Sequence, residues 1–194
     1  MMNYFFILLA YLSGSVPYGL IFTKLFSGID VRKIGSGNIG TTNVLRTGQK
    51  GVAAATLICD ALKGFLPVFF ASHGGIEGAL LLTVAFAAIL GHVFPIWLRY
   101  QGGKGVATSL GVFWALSLSL GGFSTFMWII ITRFVKISSL SSLCIFALSP
   151  LFSSFFLSWP LAIFCFFTAL LIFWTHRSNI QRLIAGTESE IGET

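Results

Sequence analysis

The chain has 194 residues, 56% of them hydrophobic and only 9% charged, with a formal net charge of +6. Soluble domains carry roughly 25% charged residues, so this composition excludes an ordinary water-soluble globule. What remains is a single bilayer-embedded domain over residues 1–194, long enough for about five to seven helices of ~20 residues each.

The first apolar run covers residues 4–12, and no Lys or Arg precedes it; the first is Lys24. It therefore reads as an uncleaved first helix rather than a removable signal. Further along that helix, Gly14-Ser15-Val16-Pro17-Tyr18-Gly19 predicts a kink: Pro17 removes one helical hydrogen bond, and the glycines allow close approach of a neighbour. Lys24, Arg32, Lys33, Arg46 and Lys50 follow, which makes the first long loop cytoplasmic and the N-terminus external. A second helix over 52–72 leaves at His73-Gly74-Gly75-Ile76-Glu77, which has no Lys or Arg, and a third over 78–98 returns to Arg99 and Lys104.

Beyond that point two topologies compete. The apolar stretch 140–175 is too long for one helix and breaks near Ser158-Trp159-Pro160. A single crossing over 107–132 would strand Arg133, Lys136, Arg177 and Arg182 outside, whereas a turn near Leu120-Gly121-Gly122 keeps them inside. The cost is a pair of short helices, and mismatch costs only fractions of a kcal/mol per Å. The expectation is an all-α polytopic membrane protein with seven transmembrane helices, some short, N-terminus outside and C-terminus cytoplasmic. Six segments is the alternative. The three cysteines, Cys59, Cys144 and Cys165, lie in apolar runs without paired spacing and read as buried small hydrophobes.

Four polar stretches fall on the inner face of this arrangement. The first, residues 30–43, carries Gly35, Ser36, Gly37, Asn38, Gly40, Thr41, Thr42 and Asn43, flanked by Arg32 and Arg46. Its glycines can turn the backbone so that N–H groups face an anion, and arginine binds phosphate bidentately. The second runs from Gly91-His92-Val93-Phe94-Pro95 to Gly102-Gly103-Lys104-Gly105. A glycine-rich turn opening a helix suits a phosphate, but the residue after Lys104 is glycine, so the nucleotide-binding Gly-x-x-x-x-Gly-Lys-[Ser/Thr] pattern fails. The third joins Arg133 to Ser138, Ser139, Ser141 and Ser142, and the fourth is His176-Arg177-Ser178-Asn179-Ile180-Gln181-Arg182. Asp60 and Lys63 stand three apart inside the second helix, where ionisable groups are costly and turn inward; a structural ion pair and a substrate contact are both open. Glu188, Glu190 and Glu193 fall in a tail expected to be mobile. Two phosphate cradles on one face of a membrane protein point to a water-soluble phosphate compound meeting a lipid one.

These motifs, with Gly186-Thr187-Glu188, resemble those of the bacterial acyl-phosphate:glycerol-3-phosphate acyltransferases, the PlsY family, along the whole chain. Departures are mild: Val16 and Val31 where isoleucine is usual, and Thr41 where the family tends to have alanine. The resemblance implies transfer of an acyl group from a fatty acyl phosphate to the 1-hydroxyl of glycerol 3-phosphate. The products would be lysophosphatidic acid and inorganic phosphate, at the first step of phospholipid synthesis in the inner membrane of a bacterium.

An acyl phosphate is a mixed anhydride, so no metal, cofactor or nucleophilic residue is called for, and no nucleic acid partner. Ser36, Arg46, Lys104, His176 and Asn179 are expected to position and stabilise. The loop 35–43 with Arg46 suits the acyl phosphate. Gly102, Gly103, Lys104, Gly105, Arg133, Ser138, Ser139, His176, Arg177 and Asn179 suit glycerol 3-phosphate, although the two assignments could be exchanged. Ser15, Asp60, Lys63 and His92 are supporting residues. His92 and His176 are the candidate bases, beside proton transfer to a substrate phosphate oxygen.

A transporter of a small phosphate ester is the rival reading, but no internal repeat is visible. Acyltransferases that use His-x-x-x-x-Asp are excluded, because the residues five after His73, His92 and His176 are Gly78, Trp97 and Gln181. A metal-dependent transferase would need an aspartate cluster, and Asp30 and Asp60 are the only aspartates.

Overall fold

A computed structural model describes residues 2–191, so Glu193 lies outside the described residues. Among these, no strand forms. The first apolar segment is one span of 24 residues, Tyr4–Ser27, made of α1 (Met2–Ser15) and α2 (Tyr18–Ser27). They are parted at Val16-Pro17, the predicted kink. A polar segment then leads through a 3-10 turn, Val31–Lys33, to α3 (Thr41–Leu45). Leu20, Val31, Ile39, Val44 and Ala53 bury one another beneath this segment and so fasten it to α2 and to the helix that follows.

That helix is α4 (Lys50–His73), and the predicted non-basic turn joins it to α5 (Gly78–Val93). The chain next makes a 3-10 turn, Ile96–Leu98, before α6 (Val106–Leu116), α7 (Leu118–Val135), α8 (Ser138–Phe156) and α9 (Trp159–Thr175). α9 bends by 66° into α10 (Arg177–Ile184). Among the described residues, five spans are long and apolar enough to cross a membrane by themselves, and a sixth if the bent α9–α10 pair is one. α6, with 11 residues, is shorter than the ~20 that a full crossing takes.

Of two expected breaks, one falls where it was read and the other does not. The break between α8 and α9 falls at Leu157-Ser158, as the proline after it suggested. The break between α6 and α7, however, lies at Ser117 rather than at Leu120-Gly121-Gly122. Ser117 is extended, and its Oγ accepts the Leu120 N–H at 3.3 Å, the usual helix-starting role of serine. Gly121 has another use: a Cβ there would run into the Trp114 indole.

Lipid tails are as apolar as the helices, so bundle cohesion comes from close packing rather than from expulsion of water. Gly14 lies against the Ala88 backbone and Gly91 against that of Tyr11, which brings α1 and α5 together. Gly64 meets Thr108 and Gly111 meets Ala61, which does the same for α4 and α6. Phe113, Phe146 and Phe164 fill the centre, while Phe126, Phe134, Phe155 and Phe156 point outward, as a hydrocarbon surround permits.

The α4–α6 contact leaves no room for a methyl group at Gly111, which gives a direct test. Gly111→Val should lower the melting temperature of detergent-purified protein by an amount equivalent to about 1–3 kcal/mol, whereas Gly51→Ala, with open space around it, should not.

Candidate active site

The loop between α2 and α4 is shaped by two side chains. Asp30 starts the 3-10 turn by accepting the Arg32 N–H at 3.1 Å. It also holds the Arg32 guanidinium in a fork, Nε to Oδ1 at 2.9 Å and Nη2 to Oδ2 at 2.6 Å. Those hydrogen bonds keep the Asp30 carboxyl well below the usual carboxylate range. Arg32 is thus committed to Asp30 and is not the free phosphate fork expected of it.

Asn43 is the second shaping residue. From the first turn of α3 its Nδ2 donates to the carbonyls of Val31, Ile34 and Asn38 at 3.0, 3.0 and 2.8 Å, while its Oδ1 accepts the Ser36 N–H at 3.0 Å. It is a knot that ties the loop, with its amide spent inside the protein; the expectation of a substrate donor at Asn43 is corrected accordingly. Gly35 and Gly37, at φ of +50° and +70°, supply the left-handed turns that let Ser36 stand exposed between them.

The segment 94–105 folds back so that the N–H groups of Gly102 and Gly103 donate to the carbonyls of Val93 and His92, each at 3.1 Å. Gly105 starts α6, and Lys104 extends its ammonium to Asn179 Oδ1 at 2.5 Å. The Lys104 carbonyl accepts from Thr175 Oγ1 at 3.0 Å. Burial pulls the Lys104 pKa down to about 8; the nearby Glu188 carboxylate opposes this shift, while Arg182 and Arg46 add to it.

The bend between α9 and α10 brings in His176 and Asn179, both buried. His176 Nδ1 lies 2.8 Å from the Ile172 carbonyl. A carbonyl only accepts, so Nδ1 carries the proton and Nε2 keeps a lone pair.

These segments enclose a cavity of about 410 Å³. Its polar end is lined by Ser36, Asn38, Gly40, Thr41, Thr42, Asn43, Arg46, Lys104, Gly105, Ser138, Ser139, His176 and Asn179, with Asp60 and His92 in the wall. Leu57, Leu110, Trp114, Trp128 and Ile129 line the other end. A smaller polar cavity of about 310 Å³ adjoins it, bordered by Arg32, Ser36, Gly37, Asn38, Gln101 and Gly102. Gly103 packs on the His92 ring, and Ser15 turns its hydroxyl back to the Tyr11 carbonyl.

Two expected residues lie elsewhere. Arg133 is exposed near the end of α7. Arg177 lies over the Trp174 ring at 4.8 Å and donates to the Trp174 carbonyl at 3.2 Å. Neither lines either of the two cavities described above, and both are exposed.

The largest surprise is Glu188, expected in a mobile tail. Its carboxylate accepts from Ser139 Oγ at 2.7 Å, from Asn179 Nδ2 at 2.5 Å and from Arg182 Nε at 2.6 Å. Burial pushes its pKa up, but these hydrogen bonds outweigh burial and hold it below the usual value. Ser189 Oγ accepts from Arg46 Nη2 at 2.7 Å, and the Ile191 N–H donates to the Lys136 carbonyl at 2.8 Å. The tail is a strap across the site. The available signal was chemical: a face rich in Arg and Lys, with no other acid in its motifs save Asp30, needs a counter-charge.

A helical membrane protein with a cationic, glycine-walled cavity joined to an apolar one defines a class that handles phosphorylated amphiphiles. Residues 4–186 match the family described as "Glycerol-3-phosphate acyltransferase", and the chain belongs to that family. It is 52% identical to a protein of that name from Methylorubrum extorquens (strain PA1), over 96% of this chain and 92% of the relative. It is 50% identical to one from Rhodopseudomonas palustris (strain HaA2), over 96% and 94%. Its fold is that of PlsY (YgiH), described as an integral membrane glycerol 3-phosphate acyltransferase. The crystal structures of the glycerol 3-phosphate and lysophosphatidic acid forms superpose with TM-scores of 0.93 and 0.91. Each is 36% identical and covers 99% of this chain and 96% of the other.

If Asn43 ties the loop, its replacement should act on the loop before it acts on chemistry. Asn43→Leu, which keeps the shape but removes both polar atoms, strands three carbonyls and the Ser36 N–H, each unmade bond costing about 1–3 kcal/mol. The Ser36 amide should then exchange hydrogen with solvent much faster, which hydrogen-exchange mass spectrometry of a peptide over 34–40 would detect.

Proposed function

We propose that this glycerol-3-phosphate acyltransferase takes a fatty acyl phosphate as its donor and acylates the 1-hydroxyl, giving 1-acylglycerol 3-phosphate (lysophosphatidic acid) and inorganic phosphate. The observation that carries the reading is the continuity of the two-ended cavity. One wall offers Ser36, Asn38, Arg46, Lys104, Ser138 and Asn179 to phosphate oxygens, and the other offers Leu57, Leu110, Trp114 and Ile129 to an acyl chain. An amphiphile with its reactive carbonyl at the boundary fits both.

The chemistry is that of a mixed anhydride. The 1-hydroxyl oxygen forms a bond to the carbonyl carbon, the bond from that carbon to the phosphate oxygen breaks, and phosphate leaves with the electron pair. Two bound phosphates aligned on one carbonyl can account for several kcal/mol of the barrier, and preorganised donors stabilise the oxyanion and the departing charge. The loop 35–40 and Arg46 hold the acyl phosphate, and Lys104, His176, Asn179 and Ser139 hold glycerol 3-phosphate. The hydroxyl proton passes to an oxygen of the donor phosphate, with no side chain acting as base. His176 then orients rather than deprotonates.

The same proposal includes one domain over 1–194 that crosses the membrane seven times, with α6 as a short crossing. The N-terminus lies outside, and the site faces the cytoplasm at the inner membrane of a bacterium. Lys24, Arg32, Lys33, Arg46, Lys50, Arg99 and Lys104 all lie in or beside the connections that carry the site, and the connection at 74–77 carries neither Lys nor Arg, which is the asymmetry such an orientation needs.

Three measurements test the proposal. Purified protein should release phosphate only when palmitoyl phosphate and glycerol 3-phosphate are both present, with lysophosphatidic acid formed and EDTA without effect; lysophosphatidic acid formed from palmitoyl-CoA and glycerol 3-phosphate, with free thiol released, would refute the donor assignment. His176→Asn should retain near-normal turnover, whereas a loss of about 10³-fold would make His176 the base. Because Lys104 is an ammonium only below about pH 8 in the free protein, kcat/KM should decline as pH rises through that value. Lys104→Arg, charged across the whole range, should shift that decline to higher pH.

A further inference from the structure

Asp60 and Lys63 touch no reacting atom in the mechanism above, yet the two loops that do are both supported from them. Lys63 Nζ lies 2.8 Å from Asp60 Oδ1, with side chains only 2% and 3% exposed. A buried pair of this kind is weak evidence for stability, because its desolvation cost rivals its attraction. The cluster's other contacts are more telling. Lys63 Nζ also donates to the Val16 carbonyl at 2.6 Å, within the break between α1 and α2. Pro17 has no N–H and Tyr18 donates to the same carbonyl at 3.1 Å, so the ammonium completes the turn. The Lys63 carbonyl in turn accepts from Ser13 Oγ at 3.0 Å. Directly after the break, Gly19 lies so close to the Ile39 carbonyl that a Cβ would collide with it, and Ile39 belongs to the loop of Ser36 and Asn38.

On the other side of the pair, Asp60 Oδ1 is 3.8 Å from His92 Nδ1. The His92 ring packs on Gly103, and the His92 carbonyl accepts the Gly103 N–H at 3.1 Å. Gly103 precedes Lys104. The Ser36–Asn38 loop is therefore one contact from an element bonded to Lys63, and Lys104 follows a glycine packed on the His92 ring, which lies beside Asp60 at 3.8 Å without a hydrogen bond to it.

We propose that the Asp60–Lys63 pair is a positioning device for acyl transfer: it fixes the Val16-Pro17 break against α4 and His92, and thereby sets the separation of the Ser36–Asn38 loop from Lys104. The inference rests on the two-phosphate reading above. Asp60 and Lys63 are positioning residues, and a shift of 1 Å between the loops would cost about 10²-fold in turnover.

The test separates positioning from mere structure. In Asp60→Asn/Lys63→Met both charges go together, which leaves no orphaned ion and should preserve folding. With an unchanged melting temperature, the double variant should show kcat lowered by about 10- to 100-fold and a raised KM for glycerol 3-phosphate. A folded double variant with wild-type kcat and KM would overturn the proposal. Should it fail to fold, Pro17→Ala serves instead. It alters no charge and restores an N–H that favours a continuous helix, which would draw the Val16 carbonyl away from Lys63. It should lower kcat in folded protein, and wild-type kinetics there would equally overturn the proposal. Wild-type protein measured alongside keeps the two questions apart, since its failure to turn over would refute the acyl phosphate reading itself.

Discussion

Hydrocarbon offers no hydrogen bond, and each place where this chain leaves the helix inside the bundle is answered by a partner from elsewhere in the protein. The Val16 carbonyl at the first break receives Lys63. The Phe94 carbonyl at the end of α5 receives the Tyr11 hydroxyl at 2.8 Å. The carbonyls of His92 and Val93 receive the returning glycines, and that of Lys104 receives Thr175. Irregular backbone at such depth is tolerated only where protein surrounds it or a cavity borders it. Here the segments around His92 and Lys104 border the cavity, so the constraint that forbids loops elsewhere places irregular backbone at the site.

The electrostatics follow from that concentration. Arg46, Lys104 and Arg182 converge on one cavity whose wall also holds the Glu188 carboxylate, while the Asp60 carboxylate in the same wall is paired with Lys63. Neutral donors bridge the charges: Ser139 and Asn179 both reach Glu188, and Asn179 also receives Lys104. Positive charge therefore exceeds negative charge there, held in a fixed pattern and partly shielded from water. Such an arrangement binds multiply charged anions without needing to reorganise.

Much of this was legible in the sequence, for identifiable reasons. Length and hydropathy are local properties, so the spans, the kink at Pro17 and the break near Pro160 could be read directly. Glycine and serine carry more than one meaning, and here the reading slipped: Gly121 accommodates Trp114 rather than turning the chain, and Ser117 turns it. Motif chemistry picked out Ser36, Arg46, Lys104, His176 and Asn179, which line one cavity. It could not tell a residue that meets ligand from one that builds the loop, because Asn43 has the same amide in either role. Arg32, Arg133 and Arg177 were drawn in by charge alone, while their neighbours Asp30 and Trp174 and the helix phase decide otherwise. Glu188 was missed because its partners, Ser139, Asn179 and Arg182, gather only once α8 and α10 are folded.

The tail that supplies Glu188 and Ser189 comes after every other cavity residue in chain order. Polypeptide emerges from the ribosome in that order, a few residues each second, so the helices can enter the membrane and associate before the strap exists. Until the strap closes, Arg46 and Lys104 lack the Glu188 carboxylate and the Ser189 hydroxyl. Closure of the strap is therefore an electrostatic step as much as a packing one, because it brings a carboxylate to a cluster of cations that the helices alone leave unbalanced.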